Sequence, residues 1–261
     1  MSAMRNFALV TGASKGIGRA IAHELARRGC NLLLTARSEN LLNVLASELT
    51  YKYKNEVHIF PADLSDSATP QHLYNFCIEK KLPVNILINN AGYGLWGKFS
   101  ALNLDDQLNM LRLNNEVIVR NTYLFLDMLK KHEPSYILNV ASTAAYQAVP
   151  TMAVYAASKI FVLNYSRALR HELKGSRVSI SCLCPGTTLT EFMDHAGQQA
   201  LRKRADKVAM KPDAVARIAM RGMFFRKAEI IPGFINWFSV KIIPFMPKKL
   251  VENIAASLYK I

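Results

Sequence analysis

Residues 7–18 read FALVTGASKGIG, an apolar run followed by three glycines in the spacing G-x-x-x-G-x-G. The run predicts a β-strand and the apolar pattern that follows predicts a helix, so the glycines lie in a strand-to-helix turn. Glycine lets the backbone turn tightly and approach a ligand closely, and a helix N-terminus presents free N–H groups. The stretch therefore predicts a phosphate-binding turn, with an ordinary tight turn as the alternative. The residues assigned to the turn are Gly12, Ser14, Lys15, Gly16, Ile17 and Gly18.

Apolar runs and helical patterns alternate along the rest of the chain. Because the runs are continuously apolar, they fit strands buried on both faces, as in a parallel sheet. Repeated strand–helix units predict one α/β domain over residues 1–261, with a doubly wound, mostly parallel, seven-stranded Rossmann-like sheet and helices on both faces. The predicted strands are Phe7–Thr11, Asn31–Ala36, Val57–Pro61, Ile86–Asn90, Tyr136–Ala141, Val178–Leu183 and Glu229–Ile231. The predicted helices include Ile17–Arg28, Leu41–Lys54, Gln71–Lys80 and Val154–Leu173.

The composition narrows the class of protein. The net charge is +14, and from Arg202 onward thirteen Lys or Arg residues face only four acids. No nucleic-acid motif accompanies this charge, so a solvated basic surface is the preferred interpretation. The four cysteines show neither metal spacing nor a disulfide framework, which suits a reducing cytoplasm. The first strand starts at Phe7, which leaves no room for a signal peptide, and no apolar run is long enough for a membrane span. We therefore expect a cytoplasmic protein without a nucleic-acid partner.

The ends of the second and third predicted strands indicate a dinucleotide. In such a sheet, ligands bind beyond the carboxyl ends of the strands, and NAD enzymes usually carry an acid after the second strand for the ribose 2′-hydroxyl. Here the residue is Arg37, whose guanidinium suits a 2′-phosphate, and Lys15 can reach the same group. We therefore predict NADP(H). Asp63 and Leu64 follow the third strand, where Asp63 could accept from the adenine amino group or could cap a turn.

Small and polar residues follow the next strands as well. After the fourth strand, Asn90, Ala91 and Gly92 let the backbone approach a cofactor, and the asparagine amide can tie adjacent strand ends. After the fifth, the Ser142 hydroxyl can orient a substrate oxygen. Pro185 and Gly186 follow the sixth, at a turn that can also contact a cofactor. Beyond them, Thr188 and Thr190 could hydrogen-bond a carboxamide or pyrophosphate, and Thr190 could instead cap the next helix.

Tyr155 and Lys159 are four residues apart on a predicted helix, so they share a face. A free tyrosine has a pKa of about 10 and is a poor base near neutral pH. A neighbouring ammonium stabilises the phenolate and lowers that pKa toward the working range. Tyr155 is therefore the predicted acid in reduction and base in oxidation.

Taken together, these motifs resemble the short-chain dehydrogenase/reductase family over nearly the whole chain, and they look like its bacterial reductases. The matching set is Gly12–Gly18, Asp63, Asn89–Gly92, Asn114, Ser142, Tyr155-x-x-x-Lys159 and Pro185-Gly186. The resemblance implies hydride transfer between NADP(H) and a carbonyl or secondary alcohol, without a metal. It also implies that Lys159 holds the nicotinamide ribose and that Asn114 helps hold a relay water, although Asn115 lies one residue away. Two alternatives stay open: a 3-oxoacyl-thioester reductase and a non-catalytic NADP(H)-binding redox sensor.

The resemblance also suggests how substrate and partners are bound. The polar stretch at about 187–212 would cover a small, apolar carbonyl or alcohol substrate. Tyr93, Leu95, Trp96 and Phe99 could wall an apolar pocket or could equally belong to the core. The apolar helix from Tyr155 fits burial against a second copy, and the family commonly forms dimers or tetramers. In the tail at about 230–261, aromatic residues lie beside lysines. We expect the tail to pack over the site or at a subunit contact, with peripheral membrane contact as the alternative.

Overall fold

Seven parallel strands form one sheet in the order β3-β2-β1-β4-β5-β6-β7. This is a computed structural model, and it describes residues 6–190 and 209–258. The strands are β1 Phe7–Thr11, β2 Asn31–Ala36, β3 Val57–Pro61, β4 Val84–Asn89, β5 Ser135–Val140, β6 Val178–Leu183 and β7 Glu229–Ile230. The predicted doubly wound, seven-stranded sheet is confirmed. The chain runs outward in both directions from the β1–β4 pair, which is the switch point where ligands bind in such sheets.

Helices cover both faces of the sheet. The α-helices within the described residues are α1 Gly16–Arg27, α2 Glu39–Tyr53, α3 Thr69–Glu79, α4 Leu104–Leu111, α5 Val117–Lys130, α6 Ala153–Glu172, α7 Pro212–Phe224, α8 Phe234–Ile242 and α9 Lys248–Leu258. Side chains alternate across each strand. Ala8 and Val10 therefore pack with α1, α2 and α7 on one face. Leu9 packs with α3 and α5 on the other.

Strand and helix ends differ from the predicted ones by one or two residues. β4 starts at Val84 and β5 at Ser135, earlier than the apolar runs indicated. The cause is a buried polar residue near the start of each strand: Asn85 Nδ2 donates to Pro134 O at 3.2 Å, and Ser135 Oγ donates to Leu129 O at 2.7 Å. A satisfied polar side chain is compatible with a buried strand, but it interrupts the apolar pattern.

Two helical regions were not predicted. One runs from α4 to α5 through a π-helical turn at Arg112–Glu116, which contains Asn114. Such turns are frequent at functional sites. The other is the tail, where α8 and α9 are joined by a 3₁₀ turn at Ile243–Phe245. No described helix is both long enough and apolar enough to span a membrane.

The predicted substrate-covering segment at 187–212 is described only at its ends, since residues 191–208 lie outside the described part of the chain. Thr188 pairs with Met210 in a parallel β-bridge. The backbone N–H of Leu189 donates to Met210 O at 2.9 Å, and the N–H of Met210 donates to Thr187 O at 3.0 Å. The two ends of the segment are therefore held together beside β6.

One buried hydroxyl joins the ends of β1 and β4. Thr11 Oγ1 donates to Ile88 O at 3.1 Å and accepts from the N–H groups of Asn90 at 2.9 Å and Ala91 at 3.0 Å. Thr11 is 1% exposed. The turn that follows β4 thus takes its position directly from the last residue of β1.

Replacing Thr11 by valine should lower the free energy of unfolding by about 1 to 3 kcal/mol, because the half-buried N–H groups of Asn90 and Ala91 lose an acceptor and Ile88 O loses a donor. Thr35→Val is the matched control. Thr35 is paired with Thr11 in the sheet and is equally buried, and its Oγ1 makes no hydrogen bond within the described residues. Urea unfolding of the three proteins measures the difference. An equal cost for the two variants would show that the Thr11 hydroxyl does not tie the strands.

Candidate active site

A cleft of about 1400 Å³ lies at the carboxyl ends of the strands. It brings together nearly all of the predicted site residues, from sequence positions as far apart as 12 and 190. The predicted residues that line it are Gly12, Ser14, Lys15, Gly16, Ile17, Arg37, Asp63, Leu64, Asn90, Ala91, Gly92, Ser142, Tyr155, Lys159, Pro185, Gly186, Thr188 and Thr190. Gly18 and Asn114 do not line the cleft. Both lie directly behind its wall.

The backbone conformation of the turn requires glycine. Gly12 and Gly16 have φ values of +63° and +56°, which side chains disfavour. A Cβ on Gly12 would also lie 2.9 Å from Ala91 Cα, and one on Gly18 would collide with Gly12 O and Asn90 Nδ2. Gly18 therefore allows α1 to pack beneath the turn, while Gly12 and Gly16 form the surface. The turn can accept a phosphate group at the N-terminus of α1.

Asn90 fixes the other side of this turn. Its Nδ2 donates to Thr11 O at 2.9 Å and to Gly12 O at 3.1 Å. The predicted tie between adjacent strand ends is therefore present. Asn89 makes a second tie, since its Nδ2 donates to Asn139 Oδ1 of β5 at 2.9 Å.

The residues after β2 and β3 form the basic end of the cleft. Lys15 and Arg37 are both exposed on the cleft wall. Glu39 begins α2 and does not line the cleft. Asp63 Oδ1 accepts from the Ser65 N–H at 2.9 Å and from Ser65 Oγ at 2.7 Å, so the turn-capping alternative for Asp63 is realised. The two cations make this end suited to a phosphate-bearing ligand, although Asp63 and Asp106 also line the cleft.

Tyr155 and Lys159 lie one turn apart on α6 and face the cleft. The Lys159 Nζ atom is 5.7 Å from the centre of the Tyr155 ring and donates to Val140 O at 3.1 Å. Both side chains are buried, at 7% and 5% exposure. The hydrogen bond to the end of β5 fixes the ammonium beside the phenol. Burial lowers the pKa of Lys159 from 10.5 to about 8, because desolvation disfavours the charged form.

Ser142 and the Thr188–Thr190 segment complete the rim of the cleft. Ser142 caps the 3₁₀ turn Thr143–Tyr146, and its Oγ accepts from the Ala144 N–H at 3.1 Å. Thr188 Oγ1 donates to Gly186 O at 3.1 Å, and Thr190 Oγ1 donates to Thr188 O at 3.5 Å. An oxygen that accepts or donates one such bond can still bond to a ligand.

Asn114 holds the segment after β4 in place from behind. Its Nδ2 donates to Tyr93 O and Ser158 Oγ, both at 3.0 Å, and its Oδ1 accepts from the Tyr93 N–H at 3.1 Å. A Cβ on Gly92 would lie 2.7 Å from that oxygen. Asn115 is less buried and donates only to Ser158 O. The two asparagines are thus distinguished by structure, and Asn114 is the one beside Gly92.

The tail supplies a wall of the cleft, which is one of the two arrangements expected for it from the sequence. α8, α9 and the turn between them contribute Asn236, Phe238, Ser239, Val240, Ile242, Ile243, Met246, Val251 and Ile254 to the lining. A Cβ on Gly186 would lie 2.5 Å from Asn236 Nδ2, so the first turn of α8 packs onto the loop after β6. Of the four predicted pocket residues, Tyr93 and Leu95 line the cleft. Trp96 and Phe99 do not, and Phe99 is 64% exposed.

The short chain dehydrogenase family matches residues 6–201, which is most of the chain. This chain therefore belongs to the short-chain dehydrogenase/reductase family, whose members are oxidoreductases. Its relatives include human 17-beta-hydroxysteroid dehydrogenase type 3, 31% identical over 90% of this chain and 76% of the relative. Sulfoacetaldehyde reductase 2 of Chromohalobacter salexigens is 30% identical over 92% of this chain and 95% of that protein. The very-long-chain 3-oxoacyl-CoA reductase of Anas platyrhynchos is 28% identical over 95% and 78%.

Two solved structures share the fold and differ in their ligand. A short-chain dehydrogenase from Sphingobium yanoikuyae in complex with NADPH has a TM-score of 0.82 and 28% identity, covering 90% of this chain and 92% of that one. A short-chain dehydrogenase/reductase from Burkholderia phymatum in complex with NAD has a TM-score of 0.84 and 25% identity, covering 91% and 92%. Both neighbours therefore bind a nicotinamide cofactor, but one binds NADPH and the other NAD.

The buried ammonium predicts a pH effect on stability. Below pH 8, Lys159 is protonated in both states, and the folded state carries the whole penalty for burying the charge. Between pH 8 and 10.5 the folded state releases the proton first, so this penalty is relieved as the pH rises. At ~1.4 kcal/mol per pKa unit, ligand-free wild type should gain roughly 3 kcal/mol relative to Lys159→Met over that range.

Urea unfolding at several pH values measures this gain, with the exposed Lys130→Met variant as the control for loss of one lysine. A constant difference between wild type and Lys159→Met from pH 7 to 11 would contradict the burial of a charged Lys159.

Proposed function

We propose that the chain is an NADP(H)-dependent oxidoreductase that interconverts a carbonyl and a secondary alcohol, with Tyr155 as the acid and base. The observation that carries the proposal is the pair on α6: a phenol facing the cleft with an ammonium beside it, held by Val140 O at 3.1 Å. A positive charge at that position favours the phenolate, which a proton-transfer tyrosine needs.

Four residues of the chain have separate roles in the proposed reaction. A nicotinamide cofactor, when bound, supplies or accepts the hydride. Tyr155 donates a proton to the substrate oxygen in reduction and removes it in oxidation. Ser142 hydrogen-bonds the same oxygen and orients the substrate. Lys159 stabilises the phenolate and binds ribose hydroxyls, and Asn114 keeps the segment after β4 in place from behind.

The residues present fit NADP(H). Gly12 and Gly16 form a surface that a Cβ would obstruct, which suits close approach of a pyrophosphate to the backbone. Arg37 and Lys15 stand where a 2′-phosphate would lie, and a guanidinium binds phosphate with a fork of donors. These two cations are the basis for choosing NADP(H) over NAD.

An apolar substrate fits the remaining part of the cleft. Its wall opposite the glycine turn is formed by Val149 and Met152 before α6 and by Val240, Ile243 and Met246 of the tail. Apolar side chains with a few convergent polar groups are usual for small-molecule sites. A 3-oxoacyl thioester is a second candidate, supported by the reductase of Anas platyrhynchos among the relatives. A redox sensor without turnover is disfavoured, because a sensor need not keep Ser142, Tyr155 and Lys159 together.

We also propose that the protein self-associates in the cytoplasm through α5 and α6. Val119 and Tyr123 of α5 are exposed at 37% and 82%, and Ile160 and Phe161 of α6 at 46% and 43%. The Phe161 and Tyr165 rings stack with their centres 5.9 Å apart. Exposed apolar residues on two neighbouring helices are suited to burial against a second copy.

Replacing Tyr155 by phenylalanine should reduce NADPH-dependent turnover at least about 100-fold, because the proton donor is lost while the ring is kept. NADPH binding, followed by fluorescence, should stay near that of wild type. The assay is the loss of NADPH absorbance over a carbonyl panel that includes acetoacetyl thioesters. Tyr165→Phe, on the same helix but outside the cleft, is the control and should turn over normally. Equal turnover by the Tyr155 variant would remove Tyr155 from the mechanism.

Replacing Arg37 by aspartate should weaken NADPH binding about 10- to 100-fold and spare NADH, because the charge-assisted bonds to the 2′-phosphate are lost. Arg217→Asp makes the same charge change on an exposed position of α7 and should leave both affinities unchanged. Titration of each cofactor into each protein measures the ratio. An unchanged ratio of NADPH to NADH affinity would place the 2′-phosphate elsewhere.

A further inference from the structure

The tail carries a group of large apolar side chains that its own fold leaves exposed. We call this group the tail face, and its members are Phe234, Ile235, Trp237, Phe238, Ile242 and Phe245. Phe234, Ile235 and Phe245 are the most exposed, at 76%, 73% and 88%. The Phe234 ring stacks on both Trp237 and Phe238, with centres 6.1 and 6.2 Å apart. A cluster of exposed aromatic residues indicates a surface that contacts something other than water.

The tail face is one continuous side of α8. Residues three, four, seven or eight apart lie on the same side of a helix. Phe234, Trp237, Phe238 and Ile242 have this spacing. Lys241, which is also exposed, has the same spacing from Phe234, Trp237 and Phe238. The apolar side of α8 therefore has a cation within it.

The charged residues of the tail from Ile230 to Val251 are all lysines, and Glu252 follows them on α9. Lys248 and Lys249 begin α9, three residues after Phe245, and both are exposed. The sequence from Ile230 to Val251 contains three lysines and no Asp or Glu. Aromatic residues with interspersed lysines match the boundary of an anionic lipid surface, where rings enter the headgroup region and lysines meet lipid phosphates.

We propose that the tail face binds the surface of an anionic membrane, with α8 lying in the interface. A second copy of the chain fits this face less well. Contact across a two-fold axis would bring the same patch of each copy into one interface, so six lysines would be gathered there, with Glu252 as the one acid next to them in sequence.

The tail face is also continuous with the cleft, which gives the membrane contact a role in catalysis. Phe238 and Ile242 belong to the face and line the cleft as well, at 51% and 37% exposure. Ile254 of α9, outside the tail face, also lines the cleft and is 45% exposed. A lipid-dissolved carbonyl or alcohol can therefore pass from the membrane to the cleft along apolar side chains. This delivery role rests on the proposed function, whereas the membrane contact does not.

The test is co-flotation with vesicles at low salt, using phosphatidylcholine alone and phosphatidylcholine mixed with phosphatidylglycerol. Wild type should float with the anionic vesicles and stay behind with the neutral ones. The double variant Phe234→Gln/Phe245→Gln should reduce flotation about tenfold or more, since it removes two rings that do not line the cleft. Lys248→Gln/Lys249→Gln should weaken binding to the anionic vesicles. Tyr51→Gln/Phe225→Gln, two aromatic residues exposed elsewhere, is the matched control and should float like wild type.

Flotation, size exclusion and turnover together decide the outcome. Failure of wild type to float with anionic vesicles, or equal flotation of the Phe234/Phe245 variant, overturns the proposal. If that variant instead lowers the mass measured by size exclusion while wild type ignores vesicles, a second copy covers the face and the proposal is wrong. Turnover of a water-soluble carbonyl should be equal in wild type and the Phe234/Phe245 variant. If neither turns over any carbonyl, the proposed function fails, and flotation still decides the membrane contact.

Discussion

Thr11 Oγ1 donates to one backbone carbonyl of β4 and accepts two N–H groups just beyond it, so a single buried hydroxyl joins the ends of two parallel strands. The Asn90 amide adds two bonds from the β4 side to Thr11 O and Gly12 O. The glycine turn after β1 and the small residues after β4 consequently share one rigid frame. Every other part of the cleft is placed relative to this frame, because the sheet extends from it in both directions.

Burial of the Lys159 ammonium lowers the stability of the fold, and it places a positive charge beside Tyr155. Lys159 hydrogen-bonds the end of β5 and stands beside the Tyr155 ring, where desolvation lowers its pKa. The cost of keeping an ammonium there is borne by the sheet and by the helices packed on both of its faces. In the proposed mechanism this charge stabilises the Tyr155 phenolate, and the effect is strong because little water screens the two buried groups.

The sheet and the motif residues could be predicted because each has a local signal. β1, β2, β3 and β6 have the predicted bounds, because each coincides with an apolar run in the sequence, although β3 is a half-buried edge strand. Asn85 and Ser135 hid the starts of β4 and β5, because a polar side chain can be buried once it is hydrogen-bonded. The sequence led us to expect the tail over the site or at a subunit contact, but it did not indicate which tail residues would line the cleft. The packing of Asn236 against Gly186 joins distant positions, and no periodicity marks it. For the same reason Phe99 was wrongly placed at the pocket.

The family matches this chain only as far as residue 201, whereas α8 and α9 begin at Phe234 and Lys248. One side of the cleft is therefore built from sequence that the family model does not cover, while the side that carries Tyr155 and Lys159 is built from sequence that it does. The tail wall can consequently vary from one family member to another while the pair on α6 stays the same. The relatives, whose names range from a steroid enzyme to a sulfoacetaldehyde reductase, are consistent with that separation.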